Sequence, residues 1–244
     1  MSALITVCKR EWAAYFSTPV AYVFVLIFLM MASAFTFYLG NFYDRGQADL
    51  LPFFNFHPWL YLFFMPAIAM GLWSQERQLG TIELLLTLPL TLWQAVLGKF
   101  LAAWLFAGLA LLLTFPLWVT VNYLGEPDNG VIIASYLGSW LMAGAFIAVG
   151  SCMSALSRNQ IVAFILTVLI CFMLMLSGFP LVLDLFRGWA SEGLVDFIAG
   201  LSFMTHFQGL SRGVVDLRDV LYFVLVIAMW LLATTQVLTI KKAR

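Results

Sequence analysis

Six long apolar runs constrain the fold of this chain more strongly than any other feature of its sequence. A helix needs about 20 apolar residues to cross the hydrocarbon core of a bilayer, and each run is near that length. Only 10% of the 244 residues are charged and 64% are hydrophobic, whereas soluble domains contain about 25% charged residues. The sequence therefore predicts an all-α protein that crosses a membrane six times.

The approximate bounds of the six predicted spans are Val20–Leu39, Pro58–Trp73, Phe100–Tyr123, Val131–Met153, Ile161–Leu183 and Val220–Ile240. An even number of spans places both termini on one side of the membrane. The positive-inside rule identifies that side as the cytoplasm, because it carries eight of the 12 basic residues, namely Lys9, Arg10, Arg77, Lys99, Arg158, Lys241, Lys242 and Arg244. The other side carries nine of the 12 acidic residues.

Residues 2–17 precede the first span and have an amphipathic pattern. The apolar residues Ile5, Cys8, Trp12 and Phe16 recur every three or four positions, while Lys9, Arg10 and Glu11 turn elsewhere. This spacing predicts a helix along the inner membrane interface. Such a helix either braces the bundle or is a polar lead-in, and Trp12 and Tyr15 favour the brace because they suit an interfacial belt.

Two outer segments, residues 41–57 and 184–219, are the only sizeable loops, and neither is large enough for a core of its own. Residues 184–219 alternate aromatic side chains with Gly and charged residues. We expect short helices at the outer interface there rather than a folded domain. Residues 1–244 are therefore predicted to form a single transmembrane domain.

The sequence contains no pattern that predicts a catalytic or metal site. No ionisable residue is expected well inside a predicted span, where such groups are usually functional. His57 and His206 are expected to lie outside the spans, as capping or interfacial hydrogen-bonding residues, and no further metal ligands accompany them. Net charge is zero, so nothing indicates binding to nucleic acid. We expect no catalytic residue, cofactor or metal.

The run Leu97-Gly98-Lys99-Phe100 resembles the end of a phosphate-binding P-loop, but the match fails. Trp93 stands where the first Gly of that motif belongs, and Phe100 stands where Ser or Thr belongs. The chain is therefore not expected to hydrolyse nucleotide, so any energy for transport must come from a partner. Pro66, Pro116 and Pro180 are expected to kink helices without a transport role.

A polar run, residues 74–99, separates the second and third spans and must lie at a membrane face. Gly80 and Thr81 are expected to break the chain and cap a new helix, with Glu83 in its first turn where the dipole favours an anion. Leu84 and Leu85 give that helix an apolar docking surface. Glu76 and Arg77 end the second span, where they either pair with a partner protein or only mark the membrane boundary.

The polar run also resembles a segment of ABC-2 type transporter permeases. The family segment reads E-[RK]-x-x-G-T-x-E-x-L-L-x-x-P, and residues 76–89 read ERQLGTIELLLTLP, followed by Gly98-Lys99. Lys9–Phe24 (KREWAAYFSTPVAYVF) is similar to the opening of the family. Phe207–Phe223 is similar to its closing G-x-x-D-x-x-D-x-x-Y signature, here Gly213, Asp216, Asp219 and Tyr222. The gliding-motility-associated permeases are the subgroup most similar in appearance.

The resemblance implies a permease subunit of an ATP-driven transporter in the bacterial cytoplasmic membrane, with residues 1–244 as one ABC-2 permease domain. Two permeases, either two copies or two related chains, would pair above two cytoplasmic ATPase subunits. The coupling helix that docks on the ATPase would involve Glu76, Arg77, Gly80, Thr81, Glu83, Leu84 and Leu85. Arg158, in the loop 155–160, is either a second contact or a marker in a plain turn.

Two functions remain open at this level. One is an exporter, expected because no outer domain exists to capture a ligand. The other is a membrane anchor that recruits an ATPase and outer-face proteins, among them a subunit with a large extracytoplasmic domain, without moving a substrate. The aromatic-rich bundle suits lipidic or amphiphilic cargo, although any surface that faces lipid needs the same content.

Overall fold

The computed structural model describes residues 3–81, 91–188 and 190–242. The regular structure in these ranges is helical, without a β-strand, as expected where only a helix or a closed barrel satisfies the backbone inside a bilayer. In chain order the helices are α1 (Ala3–Ser17), α2 (Pro19–Ala34), α3 (Leu51–Ala69), α4 (Gly71–Gln78), α5 (Leu92–Leu112), α6 (Phe115–Leu124), α7 (Asn129–Leu156), α8 (Gln160–Leu176), α9 (Pro180–Arg187), α10 (Glu192–Gly200), α11 (Phe203–Ser211) and α12 (Leu217–Lys242).

Five helical segments of the described chain are long and apolar enough to cross a membrane. They are the first span (Pro19–Leu39, which ends in a π-helical turn), the second (Leu51–Gln78), the third (Leu92–Leu124), the fourth (Asn129–Leu156) and the sixth (Leu217–Lys241). The prediction of an all-α membrane protein is confirmed, and the total is six spans if the bent pair α8 and α9 counts as the fifth.

The fifth span, predicted for Ile161–Leu183 with a kink at Pro180, is bent sharply. Helix α8 ends at Leu176, and α9 begins at Pro180 after a bend of 74°. Two local causes act together. Proline cannot donate the hydrogen bond that would continue α8, and α11 lies so close to Gly178 that a Cβ there would meet Thr205 Oγ1 at 2.5 Å. The chain therefore turns where α11 packs against it.

The second span is longer than the predicted Pro58–Trp73 at both ends, and it includes His57. That residue was predicted to lie outside the spans, and the prediction is wrong, because Pro52 starts α3 well before the apolar run suggested. His57 is fully buried. Its Nδ1 lies 2.7 Å from Ser139 Oγ in the fourth span, and Tyr61 Oη lies 2.7 Å from the same oxygen. These bonds join the second and fourth spans, as polar side chains commonly do between membrane helices.

His206 lies outside the spans, in α11, where it forms the hydrogen bonds expected of it. Its Nδ1 lies 2.6 Å from Asp219 Oδ1 and its Nε2 lies 3.0 Å from the carbonyl oxygen of Gly200. The short helices expected in residues 184–219 are present as α9, α10 and α11. His206 therefore ties this layer to the start of the sixth span.

The fourth span forms the centre of the bundle. Of its apolar window 67% is buried, against 22% for the first span. Small residues allow this close packing: a Cβ at Gly150 would lie 2.5 Å from Ala69 Cβ of the second span, and a Cβ at Gly138 would lie 2.8 Å from Leu210 Cβ of α11. The first span, in contrast, leaves most of its apolar surface uncovered.

We expect Gly150→Ala to lower the thermal stability of the purified protein in mild detergent, because the new methyl group forces the second and fourth spans apart. Overpacking of this kind destabilises by about 1–3 kcal/mol. Gly193→Ala is the matched control, since nothing lies within 4 Å of a Cβ there. The double variant Gly150→Ala/Ala69→Gly should recover most of the loss, and a melting temperature that fails to recover would contradict this account of the packing.

Candidate functional site

The basic residues assigned to one membrane face meet at one end of the bundle, which we call the basic end. It is formed by α1, the end of the second span, the start of the third, the end of the fourth and the end of the sixth. The basic residues whose side chains the structure describes here are Lys9, Arg10, Arg77, Lys99, Arg158 and Lys241. The polar run between the second and third spans leaves the bundle here.

Helix α1 packs along the third span, in agreement with the brace interpretation. Val7 is the buried residue of α1, and it lies where a Cβ at Gly98 would meet its Cγ1 at 2.8 Å. Tyr15 stacks on Phe106 with ring centroids 4.8 Å apart. Of the predicted stripe, Phe16 packs edge-on against Phe106 with ring centroids 5.9 Å apart, whereas Ile5 is exposed. Glu11 also faces the third span, where it pairs with Lys99.

Lys99 is the centre of a buried group of charges. Its side chain is 3% exposed, and its Nζ lies 2.9 Å from Glu76 Oε1 and 3.2 Å from Glu11 Oε1. We call Glu11, Glu76 and Lys99 the ionic clamp. The same Nζ lies 5.3 Å from the centroid of the Trp73 ring, a position that favours a cation. Arg10 Nη2 lies 2.6 Å from Glu11 Oε1 and completes the network.

The charges of the clamp stabilise one another. Burial by itself raises the pKa of Glu11, but Lys99 and Arg10 outweigh it and hold the pKa of this carboxyl below its ordinary value. Glu11 is therefore ionised at neutral pH. A buried ion pair becomes strongly destabilising when one partner is removed, because the other charge stays buried without compensation. The clamp is thus suited to hold elements together rather than to exchange protons.

The clamp was not predicted from the sequence, because the third span was expected to begin at Phe100. Helix α5 begins at Leu92 instead, behind a capping box in which Thr91 Oγ1 accepts from the Gln94 N–H at 3.3 Å and Gln94 Oε1 accepts from the Thr91 N–H at 3.1 Å. The earlier start carries Lys99 inside the bundle. The Thr-x-x-Gln spacing is the signal that could have revealed this.

The predicted break after the second span is present. Helix α4 ends at Gln78, Gly80 takes a φ of +71°, and the Thr81 N–H donates to the carbonyl of Glu76 at 2.9 Å. This is the Schellman geometry, in which a left-handed residue after the helix is usually Gly. The predicted helix with Glu83, Leu84 and Leu85 lies outside the described residues, so it stays a prediction.

Arg77 and Arg158 lie beside the end of the fourth span. Arg77 Nη1 donates to the carbonyl of Ala155 at 2.6 Å. From the sixth span, Lys241 Nζ donates to the same carbonyl at 3.2 Å and to that of Leu156 at 2.6 Å. Arg158 is exposed in the loop after the fourth span. Glu76 and Arg77 thus have partners within the chain, and their contact with another protein stays a prediction.

The clamp joins the two ends of the polar run. Glu76 precedes the break in the run and Lys99 ends it, so their contact joins its two sides, while Glu11 attaches α1 and Arg77 attaches the fourth span. A force on the run would therefore reach α1 and three spans through charged or hydrogen-bonded contacts. Within the described residues no group of three or more His, Cys, Asp and Glu side chains could hold a metal ion.

We expect Lys99→Met to destabilise the protein, by up to about 3–5 kcal/mol, because it removes the buried ammonium group from Glu76 and leaves Glu11 with the exposed Arg10. Thermal unfolding in detergent measures this change. Lys9→Met, which removes an exposed charge from the same end, is the matched control. Adding Glu11→Gln and Glu76→Gln to Lys99→Met should restore much of the stability, and a triple variant as unstable as Lys99→Met would contradict the clamp.

The clamp also predicts how the stability of the folded protein changes at acidic pH. Because the pKa of Glu11 is lower in the folded protein than in the unfolded chain, its contribution is fully present above the unfolded value and disappears as the pH falls through the folded value. Glu11→Gln should therefore flatten the dependence of the melting temperature on pH in this acidic window. An unchanged slope would show that Glu11 does not titrate as the contacts indicate.

Comparison with known proteins identifies the family of this chain. A search of curated proteins finds no significant match. A family model described as ABC-2 family transporter protein matches residues 5–240, which include nearly all of α1, every candidate span and most of the basic end. Proteins of this family are membrane permease components without a nucleotide-binding domain of their own, and they normally work with a cytoplasmic ABC ATPase. This multi-pass membrane protein belongs to the ABC-2 family of transporters.

Proposed function

We propose that a cytoplasmic ATPase drives this permease by moving the polar run at the basic end. The observation that carries the proposal is the contact between Glu76 Oε1 and Lys99 Nζ at 2.9 Å, which joins the two sides of the run inside the bundle. Residues 80–90 form the docking element in this proposal, with Gly80 and Thr81 at its root and Glu83, Leu84 and Leu85 on its docking surface.

Glu76 and Arg77 transmit movement to the spans in this scheme. Glu76 is held by Lys99 of the third span, and Arg77 by the Ala155 carbonyl of the fourth. Separating a buried pair is costly, so displacement of the run moves these spans together. Binding and hydrolysis of ATP take place on the partner, and the permease supplies the moving path.

The charge distribution supports a cytoplasmic position for the basic end, in a bacterial inner membrane with both termini inside. The ATPase then lies directly below the polar run. The uncovered surface of the first span, of which only 22% of the apolar window is buried, suits a second permease, either another copy or a related chain. The proposal also includes membership of the gliding-motility-associated subgroup. It further includes an additional subunit with a large extracytoplasmic domain.

A side cavity supports an amphiphilic substrate. It lies at the basic end between α1, the first span and the second, with a volume of about 450 Å³. Polar groups of Glu11, Thr18 and Gln75 line it together with the apolar residues Phe24 and Ile68. Mixed lining of this kind matches a molecule with a polar head and an apolar tail, entering from the inner leaflet.

The alternative is an anchor that recruits the ATPase and outer-face proteins without a substrate path. Both functions need the docking element, so binding of an ATPase does not separate them. They differ in the consequence of that binding. A permease couples movement of the run to ATP turnover, whereas an anchor only holds its partners.

We expect an ATPase subunit to copurify with the native protein from membranes in mild detergent, and Glu83→Lys to abolish stimulation of its ATP turnover by the permease. Charge reversal at the docking element removes electrostatic complementarity to the partner. Glu126→Lys, on the opposite side of the predicted topology, is the matched control. Failure of any ATPase to copurify would contradict the proposal, and a Glu83→Lys variant impaired in assembly alone would favour the anchor.

A further inference from the structure

A second set of charges at the basic end has no acidic partner among the residues that the structure describes. Arg77, Arg158 and Lys241, which we call the cationic cluster, converge on the end of the fourth span from three different segments. Within the described residues none of the three forms an ion pair, in contrast to Lys99, which pairs with two carboxylates. Arg77 and Lys241 bind backbone carbonyls only.

The three charges lie close enough to repel one another. Arg158 acts electrostatically on both Arg77 and Lys241, and Arg77 acts on Lys241. The carbonyls at the end of α7 supply only about half a negative charge. Helix α8 begins at Gln160 and directs its positive end toward the same place, where Asn159 Oδ1 already accepts from the Ile161 N–H at 2.8 Å. The cluster therefore keeps a net positive charge that favours an anion.

The surroundings of the cluster indicate which anion. Leu156 and Ile240 adjoin it at the ends of the fourth and sixth spans, and Ile161 adjoins it at the start of the fifth. These side chains are 44%, 60% and 67% exposed, so apolar surface and positive charge lie side by side. A soluble anion would use only the charges, whereas a lipid uses both, with its phosphate on the cations and its acyl chains along the exposed aliphatic groups.

We propose that the cationic cluster binds the phosphate of an anionic phospholipid, whose acyl chains lie along Leu156, Ile161 and Ile240. The lipid would connect the second, fourth and sixth spans at the end where the ionic clamp connects the second span, the third and α1. Arg77 is next to Glu76 in sequence, so the two contacts support the same helix end. This site does not depend on docking of an ATPase.

Native mass spectrometry of the full-length protein tests the proposal, with phosphatidylglycerol and zwitterionic phosphatidylcholine titrated separately in mild detergent. We expect tighter binding of phosphatidylglycerol, and about fivefold weaker binding in Arg158→Gln and in Lys241→Gln, since one basic residue near a lipid surface contributes about 1 kcal/mol. Lys9→Gln, an exposed charge of the same end outside the cluster, should bind as the native protein does. Lys241→Arg should retain binding.

Several outcomes would overturn the proposal. Equal loss in Lys9→Gln would show diffuse attraction rather than a site. Inorganic phosphate that binds alone and displaces phosphatidylglycerol at equal concentration would show a site for a free anion. Variants that keep the lipid but lose a copurifying ATPase would assign the cluster to an acidic protein. Because the exposed Arg158 has no described intrachain partner, Arg158→Gln should fold normally, and its melting temperature in phosphatidylcholine checks this.

Discussion

Lys99 is the residue on which the basic end of this protein depends. An ammonium group with 3% of its side chain exposed requires compensation by opposite charge, and the compensation comes from two elements distant in sequence. Glu76 approaches from the second span and Glu11 from α1. The position of α1 follows from this requirement, because Glu11 reaches Lys99 only when α1 lies along the third span. Because Gly98 has no side chain, Val7 of α1 can then pack closely against the third span.

The apolar runs of the sequence predicted the number and order of the spans because hydrophobic length is a one-dimensional property. What they did not predict depends on contacts across the fold. His57 lies in the second span because α3 starts at Leu51, before the predicted start at Pro58, and Ser139 of the fourth span supplies its partner. A kink at Pro180 was expected in the fifth span, but the approach of α11 to Gly178, the second cause of the bend, was not. The break at Gly80 was predictable, since a left-handed residue after a helix favours glycine.

The candidate site also combines features that the sequence predicted with features that depend on contacts across the fold. The charged residues were recognisable from sequence, but their pairing was not, since Glu11, Glu76 and Lys99 lie far apart along the chain. Read as boundary markers, the three charges would face water. The capping box at Thr91 decides otherwise, because it starts α5 early enough to bury Lys99. A short polar signal outside the apolar run thus determines whether a lysine marks the membrane surface or holds the bundle.

The basic end contains two charged groups, the ionic clamp and the cationic cluster, and they differ in how their charges are compensated. In the ionic clamp each charge has an opposite charge within the chain, although Glu76 Oε2 is buried without a hydrogen-bond partner among the described residues. In the cationic cluster Arg77 and Lys241 bind two backbone carbonyls and Arg158 is exposed, so within the described chain the group keeps a positive charge that favours an anion. Because Glu76 and Arg77 are neighbours on one helix end, the clamp and the cluster adjoin the same polar run. Under the proposed function, movement of that run would strain the clamp, whereas an anion in the cluster would reduce the repulsion beside it.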